Sequence, residues 1–282
     1  MTRKLLLTGA SGYLGQTILE DARGWEILAL SYARRVQRPG ISAEQVDLRD
    51  AEATQAVVRA FKPNVIVHAA ASNRNAEHIA AIVHGAQHVA SAARDSGARL
   101  IHVSSDLVFD GERGPYRDET GPAPLDNAYA TAKGEAEKRV ARIHPRAAIV
   151  RPSLIWGLNP LDHQTQWLVE AVRKNAPVTL FTDEIRCPVY VHDLARAILE
   201  LADRSDLVGP YNLVGAQPLN RWEFGLRLLR KLGLKPGPTL KPGLSRDSGL
   251  VRARDLTLRA DRARRDLRTR LRGVDEVLVI VQ

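Results

Sequence analysis

Cysteine is almost missing from this chain: Cys187 stands alone among 282 residues. A single thiol excludes a framework of internal disulfides. Long apolar runs are missing too, and none approaches the roughly 20 residues that a membrane-crossing helix needs. The opening "MTRKLLLTGA" runs from a short apolar stretch into a glycine turn, without the long apolar region of a secretory leader. There are no internal repeats, no metal-ligand spacing among the eight histidines and no nucleic-acid-binding motif. The expectation is a cytoplasmic protein with no metal, no nucleic-acid partner and no membrane contact.

What is present suits a globular α/β protein. A chain of this length, 44% hydrophobic, fits one large domain or one domain with a small appended lobe. The formal net charge is +9, but residues 251–272 alone hold nine Arg against three Asp. A solvated helix face is the simplest reading of that segment; an anionic ligand or an oligomer contact is the alternative.

Apolar runs alternate with helical patterns. Strands are expected at 4–9, 26–31, 44–48, 64–71, 99–105 and 146–153, and helices at 13–22, 50–62, 76–96 and 127–143. Pro63 should stop the second helix and Gly97 the third. "NVIVHAAA" is apolar throughout, as a strand covered on both faces should be. This rhythm predicts a Rossmann-type, doubly wound parallel sheet with helices on both faces. Beyond residue 153 the rhythm loosens. The expected division is a dinucleotide-binding domain over 1–154, joined by elements from about 181–214. A smaller substrate lobe would comprise 155–180 and 215–282.

"TGASGYLG" places Gly9, Gly12 and Gly15 between the first strand and its helix. At the carboxyl end of a parallel sheet, such a turn lets pyrophosphate meet backbone N–H groups and the positive helix end. Ser11, Tyr13 and Leu14 complete the turn. The second strand runs out into "SYARRVQR", with Ser31, Arg34 and Arg35 and no acid. Arginine suits a 2′-phosphate, where an Asp or Glu would suit the 2′-hydroxyl of NAD. NADP is therefore the expected cofactor, with NAD the alternative. "YATAK" sets Tyr129 and Lys133 four apart, on one face of a helix. A neighbouring ammonium lowers a phenol's pKa and so readies it for proton transfer. "SSD", Ser104 to Asp106, lies at the ligand edge of the strand at 99–105. Cys187 matches no nucleophile pattern, and Trp156 suits either stacking on a ligand or core packing.

Together these motifs resemble the extended short-chain dehydrogenase/reductase superfamily. "TGASGYLG", "VDL", "HAAA", "SSDLVFDG", "AYATAKGEAEK" and "RPSLIWG" occur in that family's order, across nearly the whole chain. "PYRDETGPAPL" and "DEIRCPVYVHDLA" narrow the likeness to the dTDP-4-dehydrorhamnose reductase branch, which also contains a non-catalytic regulatory subunit. The resemblance implies NADPH-dependent reduction of a keto group on a nucleotide-linked sugar. A regulatory NADP-binding role, and an epimerase or dehydratase on the same fold, stay open. It implies that Ser105 bonds the substrate carbonyl, Tyr129 gives the proton, and Lys133 holds the nicotinamide ribose and lowers the tyrosine pKa. Asp47 and Leu48 would meet the adenine. Ala69, Ala70, Ala71 and Ser104 would line the cofactor path, and Pro152 would lie near the nicotinamide. Asp106, Trp156 and Arg186 would face the substrate. A homodimer is the expected assembly.

Overall fold

The computed structural model describes residues 3–72 and 75–281; residues 1, 2, 73, 74 and 282, including both ends of the expected division, lie outside them. The sheet strands are β1 (Arg3–Thr8), β2 (Trp25–Ser31), β3 (Ser42–Gln45), β4 (Val65–His68), β5 (Arg99–Val103), β6 (Ala148–Pro152) and an edge strand, Gly209–Leu213. Their spatial order is edge strand, β6, β5, β4, β1, β2, β3, and every pairing is parallel. The chain thus starts in the middle of the sheet and winds outward in both directions, a doubly wound Rossmann-type arrangement.

The longer helices are α1 (Tyr13–Asp21), α2 (Ala51–Phe61), α3 (Ala76–Ser96), α4 (Ala128–Ile143), α5 (His163–Arg173), α6 (Val191–Asp203) and α7 (Arg221–Lys231); two short ones cover Asp261–Asp266 and Val274–Ile280. Successive strand residues point to opposite faces. Leu5 and Leu7 therefore join Ile18 of α1 and Leu194, Ile198 and Leu201 of α6 in one core. Leu6 joins Val58 of α2, Ile82 and Val89 of α3 and Val140 of α4 in the other. This two-sided burial explains why β1 and β4 read as unbroken apolar runs. Gly97, at φ 71°, ends α3 in the left-handed conformation that a side chain disfavours.

Of the strands that are shorter or placed earlier than expected, three bear on function. β3 occupies 42–45, not 44–48: Gln45 pairs with Ser31 at the end of β2, and Asp47 then turns to accept from its neighbour Arg49. β4 and β5 stop at His68 and Val103. Beyond them Ala70 N–H bonds the Thr8 hydroxyl, and Ser105 caps a 3₁₀ turn over Asp106–Val108. The residues expected to meet ligands thereby leave the ladder and gather at one edge.

Two smaller cores lie beyond β6. One packs Trp156, Leu219, Phe224, Leu228, Val274 and Val277; the other packs Leu168, Val178, Leu180, Leu229 and Leu240. The Arg-rich segment is not a solvated helix face. Only Asp261–Asp266 within it is helical. Leu256 and Leu258 are buried in the main core. Arg262 stacks 4.0 Å from the Tyr211 ring and donates to the Val208 and Pro210 carbonyls. Arg272 pairs with the buried Asp193 at 2.6 Å. Guanidinium forks reach carbonyls and carboxylates that a helical periodicity does not reveal. Among the described residues no helix is long and apolar enough to cross a membrane.

Candidate active site

Because all seven strands are parallel, their carboxyl ends form one edge. Gly9–Gly15 follows β1, Ser31–Arg35 ends and follows β2, and Asp47–Leu48 follows β3. Ala69–Ala71 follows β4, Ser104–Asp106 follows β5, and Pro152 ends β6.

The three glycines have different reasons. Gly9 has φ +70°, and a Cβ there would meet the Ala69 and Ala70 backbone at 2.7 Å. A Cβ on Gly15 would meet the Gly9 carbonyl oxygen at 2.3 Å, because α1 packs tightly on its own turn. These two are demanded by the protein's own packing. Gly12 is exposed, and its only near neighbour would be the Gly9 oxygen at 3.2 Å. It caps α1 without any side-chain acceptor, whereas Asp or Asn side chains cap α2, α3, α4, α5 and α7. The first amides of α1 therefore remain available for an anion, and a phosphate fits that cradle.

At the end of β2 the two arginines diverge. The Arg34 guanidinium donates to the Ser11 carbonyl within the glycine turn, while Arg35 reaches Ala43 on β3 at 3.4 Å. The Ser31 hydroxyl is buried without a hydrogen-bond partner. Tyr32 and Arg49 were not anticipated: Arg49 lies 5.4 Å from the Tyr32 ring, bonds its hydroxyl at 3.0 Å and holds Asp47. Hydrogen bonding to Arg49 keeps the Asp47 carboxyl below its ordinary range. Leu48 offers its carbonyl to His88 on α3 at 2.9 Å.

The chemistry-bearing residues converge where β5, α4 and β6 meet. Tyr129, Lys133 and Glu137 recur every fourth residue and so share one face of α4. Lys133 donates to the Val103 carbonyl at 2.6 Å, and Glu137 accepts from Ser104 at 2.8 Å. Both bonds fasten α4 to the end of β5. The Ser104 hydroxyl is thus committed to the protein. Glu137 is also paired with Arg151 of β6, both fully buried, and Arg151 donates onward to the Asp118 carbonyl at 3.0 Å. The spacing that singles out Tyr129 and Lys133 would have found Glu137 one turn further.

Ser105 donates to the buried Asp106 carboxylate at 3.2 Å, and Ser153 donates to its other oxygen at 2.7 Å. Burial pushes the Asp106 pKa up. The Tyr129 phenol is pushed up to about 12, first by burial and then by the charge of Asp106. The expected lowering by Lys133 is not what this geometry produces, because the ammonium is turned onto Val103. Burial brings Lys133 itself down to about 8. Behind it, His68 and His102 stack across β4 and β5 with centroids 5.3 Å apart. His68 shares a 2.7 Å hydrogen bond with Thr8 and is lowered to about 3 by burial and the Lys133 charge. No spacing in the sequence marks these two histidines as a pair; strand register brings them together.

Beyond β6, Arg186 is buried, 3.8 Å from Asp106 and 3.1 Å from Glu184. Arg252 reaches Glu184 at 3.2 Å and Arg221 at 4.0 Å, so three arginines surround one carboxylate. Trp156 is a correction: it is 1% exposed and packs against Tyr190 and Phe224, so ligand stacking is excluded and core packing holds. Cys187 is buried, and burial pushes its thiol up to about 11.

Comparison with known proteins agrees with this geometry. The model of the RmlD substrate binding domain matches residues 3–274. Methionine adenosyltransferase 2 subunit beta of Xenopus tropicalis is 32% identical over 267 residues, covering 85% of this chain and 75% of that protein. dTDP-4-dehydrorhamnose reductase of Aggregatibacter actinomycetemcomitans is 28% identical over 242 residues, covering 80% and 78%. The crystal structure of dTDP-4-dehydrorhamnose reductase from Bacillus anthracis in complex with NADP superposes with a TM-score of 0.85 at 23% identity, covering 99% and 98%. By the extent of that family match, the chain belongs to the RmlD substrate binding domain family, within the extended short-chain dehydrogenase/reductase group.

Proposed function

We propose that the protein is an NADPH-dependent reductase acting on a keto group of a nucleotide-linked sugar. The observation that carries this reading is the convergence of Ser105, Asp106 and Tyr129 at the sheet edge that also bears the uncapped start of α1. The likeness to a named dTDP-4-dehydrorhamnose reductase supports the substrate class. The Bacillus anthracis relative, solved with NADP, supports the cofactor.

In this reading Gly9, Ser11, Gly12, Tyr13, Leu14 and Gly15 hold the pyrophosphate, and Arg34 reads the 2′-phosphate. Asp47 and Leu48 border the adenine, and Ala69–Ala71 and Pro152 flank the path to the nicotinamide. NADPH, when bound, supplies the hydride. Tyr129, fully protonated at neutral pH because its pKa lies near 12, donates its proton to the substrate oxygen. Ser105 turns its one hydroxyl proton from Asp106 to that oxygen, while the Leu107 amide, donating to the Ser105 oxygen at 3.2 Å, holds the side chain in place. Lys133 sits one turn behind Tyr129 and contributes the positive charge of the pocket. The two smaller cores beyond β6 form the substrate lobe, with Arg186, Arg221 and Arg252 toward the nucleotide-sugar.

Purified protein mixed with NADPH and a panel of 4-keto nucleotide sugars tests this directly; one substrate should consume NADPH. A second reading, a regulatory NADP-binding subunit, is favoured by the 32% identity to a methionine adenosyltransferase subunit. Tight NADPH binding with no turnover of any keto sugar would decide for it.

A further inference from the structure

Tyr13 is the first residue of α1, so its backbone belongs to the glycine turn. Its side chain does something else. The hydroxyl crosses to the loop after Trp156 and donates to the Pro160 carbonyl at 3.0 Å. That loop is shaped around it: a Cβ on Gly157 would lie 2.2 Å from the Tyr13 oxygen. Glycine is required there because the phenol occupies the space.

The far end of the same loop is equally fixed. Asp162 is buried and caps α5, accepting from the Gln164 and Thr165 amides at 3.0 and 3.1 Å and from the Thr165 hydroxyl at 2.5 Å. It also approaches the Gly157 amide at 3.4 Å. Gln164, in the first turn of α5, accepts from Arg221 at 2.5 Å. Arg221 faces Glu184, Glu184 pairs with Arg186, and Arg186 faces Asp106 beside Ser105. Contacts therefore run without a gap from the glycine turn, across five loop residues, to the substrate side.

We propose that Tyr13 is a positioning residue that couples dinucleotide binding at the glycine turn to the placement of α5 and Arg221 on the substrate side. This rests on the dinucleotide reading of Gly9–Gly15. A phosphate held by the first amides of α1 fixes the Tyr13 backbone. The phenol then holds Pro160, and Asp162 carries that position into α5. Burial keeps the Tyr13 hydroxyl protonated, so it remains a donor throughout the working pH range. Such coupling is reciprocal: whatever NADPH does to nucleotide affinity, the nucleotide must do to NADPH affinity.

The test is a ratio. The Kd of dTDP is measured by calorimetry without NADPH and with saturating NADPH. In the wild type the ratio should be about fivefold or more, the lower end of ordinary site coupling. Tyr13→Phe keeps the ring and deletes the bond to Pro160, and should bring the ratio close to one. Gly157→Ala displaces the phenol from the loop side, with the glycine turn intact, and should do the same. The ratio reports coupling however far either single affinity moves, so a purely structural role would leave it in place. A wild-type ratio in both variants, or a wild-type ratio of one, overturns the proposal. A wild type that binds dTDP but no NADPH overturns the dinucleotide reading itself, and the coupling with it.

Discussion

The two sides of the site are built from different materials. The cofactor side uses backbone: a glycine turn and an uncapped helix start within a few residues of each other in sequence, with strand ends beside them. The opposite side uses charged side chains drawn from far apart, with Arg186, Arg221 and Arg252 meeting over Glu184. Backbone amides are placed as soon as the strand and helix form. A guanidinium is placed only when distant segments have packed. The Glu137–Arg151 pair shows the same contrast from inside: it is fully buried, while Arg252 beside Glu184 is 41% exposed.

The sharpest test of this contrast removes one atom between the two sides. Tyr129→Phe keeps the ring and its packing on α4 but deletes the proposed proton donor. Turnover of a keto nucleotide sugar should fall by about 10²–10⁴-fold, with NADPH affinity retained, as titration of both proteins would show. Undiminished activity would place the acid elsewhere.

Next come the two ion clusters. Glu137→Ala leaves Arg151 charged and unpaired in the core, and denaturant unfolding should show a loss of roughly 3–5 kcal/mol. Arg252→Ala should cost less than about 1 kcal/mol, since its guanidinium is solvated. Its effect should appear instead as weaker nucleotide-sugar binding. Equal stability losses would erase the distinction between a sealed pair and an open one.

On the cofactor side, Arg34 touches the glycine turn and Arg35 points to β3. Arg34→Ala should reduce the preference for NADPH over NADH by about tenfold, the worth of one hydrogen bond to a charged group. Arg35→Ala should move it much less. A larger loss at Arg35, read by competition titration, would reassign the 2′-phosphate contact.

The smallest expected effect is a pH limb. Lys133 is lowered to about 8, so it is charged below that pH and neutral above it. If the ammonium serves the site, kcat/KM should decline as pH rises through about 8, tenfold per pH unit well above it. Lys133→Met should flatten that limb. A wild-type limb appearing only near the ordinary lysine value would show that the burial seen here is relieved in solution.

Much of this was legible beforehand. The doubly wound sheet followed from the alternation of apolar runs and helical patterns, and α3 was bounded at residues 76 and 96 by its periodicity and Gly97. The glycine turn and the Tyr129–Lys133 spacing are local, so sequence shows them. Trp156 was not decided, because an aromatic beside a glycine suits a ligand or a core equally until its neighbours Tyr190 and Phe224 are known. The end of β3 was misplaced because Asp47 turns toward Arg49, a choice that hydrophobic pattern does not encode.

The sequence by itself determined the order of the strands' formation units, the cradle at Gly9–Gly15 and the helix face that carries Tyr129, Lys133 and Glu137. All depend on periods and turns of a few residues. Tertiary structure alone decided that Lys133 turns to Val103, that His68 stacks on His102, that Tyr13 reaches Pro160 and that Arg262 closes on the edge strand. Each joins residues at least 30 positions apart, and such contacts exist only once the parallel strands are in register and the segments beyond β6 are packed against them.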